Sequence, residues 1–146
     1  MLMYMVHLFV RIDFEPSSCA FGPGKAQLLE RISETGTLRR AAASIGMSYR
    51  KAWLLVEEMQ AAFNRAVVIA ETGGTGGGGM QLTELGTTLL KTYRRIEAGA
   101  KQANQLELQS LAAMVPADAA PRRDAKRKRS SPAGSKNRRP PKRRRQ

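Results

Sequence analysis

The sequence predicts a mainly α fold with a small β component. It reads as a winged helix-turn-helix with a long C-terminal dimerisation helix and a disordered basic tail. Three observations carry this. Two short helical patterns meet at a glycine turn, the arrangement of a helix-turn-helix. A run of glycines then separates two short apolar stretches, as in a hairpin with an extended tip. A leucine-striped segment follows before the composition turns abruptly basic.

Met1 to Val10 is apolar, yet no basic segment precedes it, no small-residue cleavage site follows, and Arg11, Asp13 and Glu15 come directly after. It is also far shorter than the ~20 residues that span a bilayer. Neither a targeting segment nor a membrane partner is therefore expected. Val6, Leu8, Val10 and Ile12 alternate with His7, Phe9, Arg11 and Asp13, which predicts a half-buried strand with His7 on its wetter face. Gly22-Pro23-Gly24 opens a first helix carrying Leu28, Leu29 and Ile32, and Gly36 stops it. Thr37 caps a second helix with Leu38, Ala41, Ala42 and Ile45 on one side, ended by Gly46. Ser48 caps a third, whose Ala52, Trp53, Val56, Met59 and Phe63 share a side. Val67 to Ile69 and Met80 to Leu82 are the two wing strands. Thr83 starts the final helix, with Leu85, Leu89, Leu90, Tyr93, Ile96, Ala100 and Ala103 as its stripe, continuing towards Met114. Its end, from Ala100, has no evident partner within the chain, so self-association into a two-fold homodimer is expected; a monomer with a frayed helix is the alternative.

Length and charge bound the rest. The 146 residues suit one domain, residues 1–115, and a tail, residues 116–146, rather than a two-lobed enzyme. The net charge of +13 is concentrated: Met1 to Ala120 holds 12 basic and 11 acidic residues, whereas Pro121 to Gln146 holds 13 and 1. A tail so rich in Pro, Ser, Gly, Lys and Arg cannot bury enough apolar surface to offset its conformational entropy. One cysteine, Cys19, precludes an internal disulfide, and one histidine, His7, argues against a Cys/His zinc site. No metal, no cofactor and no catalytic residue is expected, and the compartment reads as reducing, hence cytoplasmic; a DNA partner would place the chain at the nucleoid.

The chemistry lies at the tip of the third helix. Base edges in the major groove are reached mainly from the first turn of a recognition helix, here Ser48, Tyr49, Arg50 and Lys51. Arg50 is the candidate for a bidentate guanine contact, worth ~1–3 kcal/mol of discrimination. Tyr49 and Lys51 suit either a base or a phosphate; a solvated charged face is the plainer alternative. Thr37, Arg39 and Arg40 begin the helix that crosses the backbone in this geometry, and phosphate contact stands level with ordinary surface charge for both arginines. Gly74, Gly76 and Gly79 spell G-x-G-x-x-G, but a strand rather than a helix follows, so no dinucleotide site is expected. As a wing, Gly74, Gly76 and Gly77 would let the backbone approach a sugar-phosphate chain, with Thr75 adding a hydroxyl. Trp53 suits core packing better than base stacking. The tail clusters Lys126, Arg127, Lys128, Arg129 and Lys142, Arg143, Arg144, Arg145 would bind DNA without sequence preference.

The residues Phe21-Gly-Pro-Gly24, Thr35-Gly36-Thr37, Ala41-Ala42, Gly46-Met-Ser-Tyr-Arg-Lys-Ala-Trp53, Glu58-Met59, the glycines to Gly79 and Leu82-Thr-Glu-Leu-Gly86 together resemble the N-terminal domain of the ModE-type molybdate-responsive regulators. The fold is shared more loosely with LysR-type regulators. The resemblance covers roughly Val6 to Ala103 and implies a winged helix that dimerises through its long helix and binds a palindromic operator. Full-length members carry molybdate-binding domains, and none is recognisable here, so a stand-alone DNA-binding domain without a small-molecule effector domain is expected. Thr75 stands where a basic residue is common in that family, Gln60 where Asn is usual, and Arg39-Arg40 where residues are small or polar. The functional expectation is a sequence-specific regulator binding double-stranded DNA, not an enzyme. A nucleoid protein with little sequence preference is the alternative. A co-regulator that binds another protein or an oxyanion is a third reading.

Overall fold

The computed structural model describes residues 5–72 and 78–119. One compact unit spans Met1–Met114 and a second begins at Val115. Of the second only the first few residues are described, where the Ala119 N–H donates to the Pro116 carbonyl at 3.0 Å.

The alternation of the N-terminal segment is realised in its burial, since Val6, Leu8 and Val10 are half-buried while Met5, His7 and Phe9 are exposed. Ladder pairing is shorter than the alternation implies. It begins only with β1, Ile12–Phe14, which pairs antiparallel with β2, Cys19–Phe21. The expectation of a strand through Val6 to Asp13 is corrected accordingly. Before Ile12 the segment is held by side chains instead: the Tyr93 hydroxyl donates to the Val10 carbonyl at 2.8 Å. The partner strand β2 has no signature in the sequence, because three residues are too few to show a period of two.

Helices α1 (Pro23–Thr35), α2 (Leu38–Ser44) and α3 (Tyr49–Phe63) follow. Each boundary has a local cause. Pro23 occupies the first turn of α1, and Gly36 ends it at φ 73°, a conformation that favours glycine. The Thr37 hydroxyl accepts the Arg40 N–H at 3.1 Å, and the Ser48 hydroxyl accepts that of Lys51 at 3.1 Å. These are N-caps, worth about 1 kcal/mol each. Gly46, at φ 65°, turns the chain from α2 towards α3. Ala26, Leu28, Leu29, Ile32, Leu38, Ala41, Ala42, Ala52, Val56 and Met59 form one core with Phe21, Val67, Val68, Met80 and Tyr93. Trp53 and Phe63 are only half-buried.

Strands β3 (Val68–Glu71) and β4 (Gly79–Leu82) make a second two-stranded sheet, pairing Val68 with Leu82 and Glu71 with Gly79. Gln60 fixes where this hairpin leaves α3, because its side-chain carbonyl accepts the Val67 N–H at 3.2 Å. Helix α4 (Glu84–Ala103) starts at Thr83, whose hydroxyl accepts the Gly86 N–H at 3.1 Å and donates to the Ala66 carbonyl at 2.8 Å. Arg94 ties α4 to α1 through Glu30 at 2.8 Å and also pairs with Glu97 at 3.0 Å. The helix does not run unbroken to Met114. It stops at Asn104, whose side chain donates back to the Ala100 carbonyl at 2.8 Å, and α5 (Gln105–Ala113) follows with no buried residue. Asn competes for its own backbone in this way, which is why it favours helix ends.

The order of three helices, hairpin and long helix is compatible with a winged helix-turn-helix.

Candidate nucleic-acid interface

Helix α3 owes its outward tip to its own sequence. Its buried side is Ala52, Val56 and Met59, and Ser48, Tyr49, Arg50 and Lys51, which precede the first buried position, are exposed. Neither α2 nor α3 has an acidic residue in its first turn. The free N–H groups at the start of the fifteen-residue α3 therefore meet no carboxylate of their own turn.

The turn between α2 and α3 brings the two helix starts together. The Arg39 guanidinium lies over the Tyr49 ring, 4.9 Å from its centroid. Tyr49 in turn meets Trp53 edge to face, with centroids 6.3 Å apart. The chain Arg39–Tyr49–Trp53 thus runs from the start of α2 to the second turn of α3. Arg39, Arg40, Arg50 and Lys51 make no ion pair among the described residues, so their charge is directed to solvent. Arg11, Lys25, Arg31 and Arg94, by contrast, are each matched to a carboxylate.

The base of the glycine hairpin closes the same surface. A cleft of about 530 Å³ is lined by Thr37, Arg39, Arg40, Tyr49, Trp53 and, from the hairpin, Ala70, Gly78, Gly79 and Met80. Its position is set by the backbone bond from the Met80 N–H to the Gly36 carbonyl, which pins β4 to the turn between α1 and α2. Gly79 lies close at this junction, where a Cβ would stand 3.4 Å from the Gly36 carbonyl oxygen and from the Glu71 Cβ, an ordinary contact, and nearer only to the movable Glu71 carboxylate. Glu71 puts a negative charge beside the cleft, and its carboxylate accepts a hydrogen bond from the Gln81 side chain.

Arg39, Arg40, Ser48, Tyr49, Arg50 and Lys51 are therefore exposed at the starts of α2 and α3, with Thr37 half-buried beside them. The Thr37 and Ser48 hydroxyl oxygens are already used as caps, which leaves their O–H groups to donate. Gly74, Thr75, Gly76 and Gly77 lie outside the described residues, as do Lys126, Arg127, Lys128, Arg129, Lys142, Arg143, Arg144 and Arg145. Trp53, for which core packing is favoured over base stacking, packs half-buried on the core and also lines the cleft. Sequence reasoning misses Leu54, exposed on α3, although its position two residues from both Ala52 and Val56 places it opposite the buried stripe. Among the described residues no group of three His, Cys, Asp or Glu side chains is placed to hold a metal ion. No helix among them is long and apolar enough to cross a membrane.

No family model matches the chain. It is 41% identical over 70 residues to the molybdenum transport protein ModE of Herbaspirillum seropedicae, covering 48% of this chain and 26% of that protein. It is 39% identical over 88 residues to the molybdenum-pterin-binding protein MopB of Rhodobacter capsulatus, covering 60% and 33%. To the DNA-binding transcriptional dual regulator ModE of Escherichia coli it is 37% identical over 71 residues, covering 49% and 27%. The matched region thus spans about a quarter to a third of these relatives' length. Over roughly half of its own length, the chain is similar to ModE- and Mop-named proteins, transcriptional regulators among them.

Proposed function

We propose that this chain is a sequence-specific, double-stranded-DNA-binding transcriptional regulator. Helix α3 enters the major groove by its first turn. The glycine hairpin lies along the flanking backbone. One observation carries the reading: four cations free of ion pairs among the described residues and the exposed Tyr49 stand at the adjoining starts of α2 and α3, with Arg39, Arg40 and Tyr49 lining a cleft against the base of the hairpin. The name of one relative, a DNA-binding transcriptional dual regulator, supports it. Arg50 reads a base edge, Lys51 and Tyr49 a base or a phosphate, and Thr37, Arg39 and Arg40 the backbone.

Homodimerisation is part of the proposal. Ile96, Leu106, Leu111 and Met114 are exposed on α4 and just beyond it, and α5 buries nothing. A two-fold dimer would place half-sites ~34–36 Å apart, or a multiple of that. The tail adds charge without sequence preference.

The test is selection of bound duplexes from random DNA at fixed salt. Arg50→Ala should relax base preference at one position. Deletion of residues 121–146 should instead weaken binding to every duplex and reduce the salt slope by about 0.9 for each phosphate that the tail no longer neutralises. Equal effects of both changes on all sequences would overturn this division of labour. The tail's 13 basic residues favour a second reading, a nucleoid protein that coats DNA. Uniform footprints on genomic fragments would select it over the first.

A further inference from the structure

The exposed side of α3 carries more than its tip. Counting 100° per residue, Leu54 stands about 200° from both buried Ala52 and buried Val56, so it points directly away from the core. It is 49% exposed. Arg50 precedes it by four residues and lies within about 40° of it around the helix, which puts the two side chains on one face, one turn apart. A single exposed leucine is ordinary on a protein surface; its place in line behind Arg50 distinguishes it. The next turn of this face is occupied by Glu57, exposed and without an ion pair among the described residues. Its charge would be repelled by phosphate, so the helix approaches DNA by its first two turns rather than along its whole length.

We infer that Leu54 is a specificity-determining residue that packs against the C5-methyl group of a thymine. This rests on the proposed insertion of α3 into the major groove. In that groove the thymine methyl is the one apolar feature of the base edges, and a leucine side chain has no donor or acceptor with which to use the others. Arg50 and Leu54 are ~6 Å apart along the helix axis, and base pairs are ~3.4 Å apart. The thymine therefore lies one to two steps from the guanine that Arg50 contacts. Covering one methyl group is worth about four-fold in affinity, corresponding to ~0.8 kcal/mol per buried carbon.

The experiment uses the full chain and the duplex obtained by selection from random DNA. Each thymine of the half-site is replaced singly by deoxyuridine, which removes the methyl group and leaves base pairing intact. The expected result is a loss of about four-fold at one thymine, one to two steps from the position that Arg50→Ala relaxes. Leu54→Ala should bind the thymine and deoxyuridine duplexes equally, whereas Leu54→Met should retain the difference. Far-UV circular dichroism should be unchanged in both variants, as expected for an exposed position. No thymine sensitive to deoxyuridine, or an undiminished difference in Leu54→Ala, would overturn the inference while leaving an Arg50-dependent motif standing. Failure to select any motif would instead overturn the proposed sequence-specific function, and this inference with it.

Discussion

Gly86→Ala pits local propensity against tertiary packing within one helix. Alanine is a better helix former than glycine, so propensity alone forecasts stabilisation of ~0.8–1 kcal/mol. Packing forecasts the opposite. Gly86 is buried in the first turn of α4, where a Cβ would stand 2.2 Å from the Val67 carbonyl oxygen and 3.2 Å from its carbon. An ordinary contact needs about 1 Å more, so the start of the hairpin or the first turn of α4 must move. That oxygen also accepts the Thr83 N–H at 3.0 Å, and the displacement strains this bond, which is worth ~1 kcal/mol. Overpacking of this kind costs ~1–3 kcal/mol. Adding both losses and subtracting the propensity gain leaves a net destabilisation of about 1–3 kcal/mol. A domain of this size should then melt roughly 5–20 °C lower. The control is Gly99→Ala, in the same helix, where nothing lies within 4 Å of the new Cβ. That variant should melt higher, because only the propensity gain applies. Thermal unfolding followed by circular dichroism at one fixed protein concentration measures both. If Gly86→Ala melts at or above the parent, the close approach of α4 to the Val67 carbonyl does not constrain the start of the hairpin, and the reasoning fails.

Lys25 is buried, with Nζ 2.8 Å from Glu58, 2.7 Å from the Ala20 carbonyl and 3.6 Å from the Cys19 sulfur. Lys25→Met keeps the stem and removes the charge-assisted bonds, so denaturant titration should show a loss of about 1.5–3 kcal/mol. Glu58→Gln should cost under about 1 kcal/mol, because that carboxylate is largely exposed. Burial of the Tyr93 phenol raises its pKa above the ordinary value, and the charge of Glu97 and its hydrogen bond push the same way. A raised pKa favours the protonated folded form. The associated stability is therefore complete below the unfolded-state pKa of ~10 and is lost as pH rises through the folded value. Tyr93→Phe should lower stability by ~1 kcal/mol at neutral pH, through loss of the bond to Val10, and should flatten the alkaline decline in melting temperature. At the interface, Ser48→Ala should remove the α3 cap and cost about 1 kcal/mol in thermal unfolding. If the cap and DNA-contact roles coexist, Ser48→Asp should preserve stability yet weaken binding, through repulsion of phosphate.

The helix boundaries were legible because short-range chemistry sets them. Thr37, Ser48 and Thr83 cap through their own hydroxyls, and Gly36 and Gly46 adopt positive φ, a conformation few other residues take readily. For Arg50 and Lys51 the same logic held, since the spacing of Ala52, Val56 and Met59 leaves them outside; Tyr49, three residues before Ala52 and seven before Val56, falls on the stripe's side of the helix and is exposed at its end, edge to face with Trp53. The β1–β2 hairpin and the break at Asn104 were not legible. The first is too short to show a period, and the second is one residue within a pattern that otherwise stays helical.

The sequence by itself determined which residues are polar, where helices α1 to α3 begin and end, where α4 begins, and where the charge lies, because each of these depends on neighbours within a turn. Tertiary structure alone decided that Arg39 lies over Tyr49, that Met80 is tied to Gly36, and that the base of the hairpin shares a cleft with the starts of α2 and α3. Those pairings join residues 10 to 44 positions apart. Local preference carries no information across such separations, and it is the packing of one core that brings the partners together.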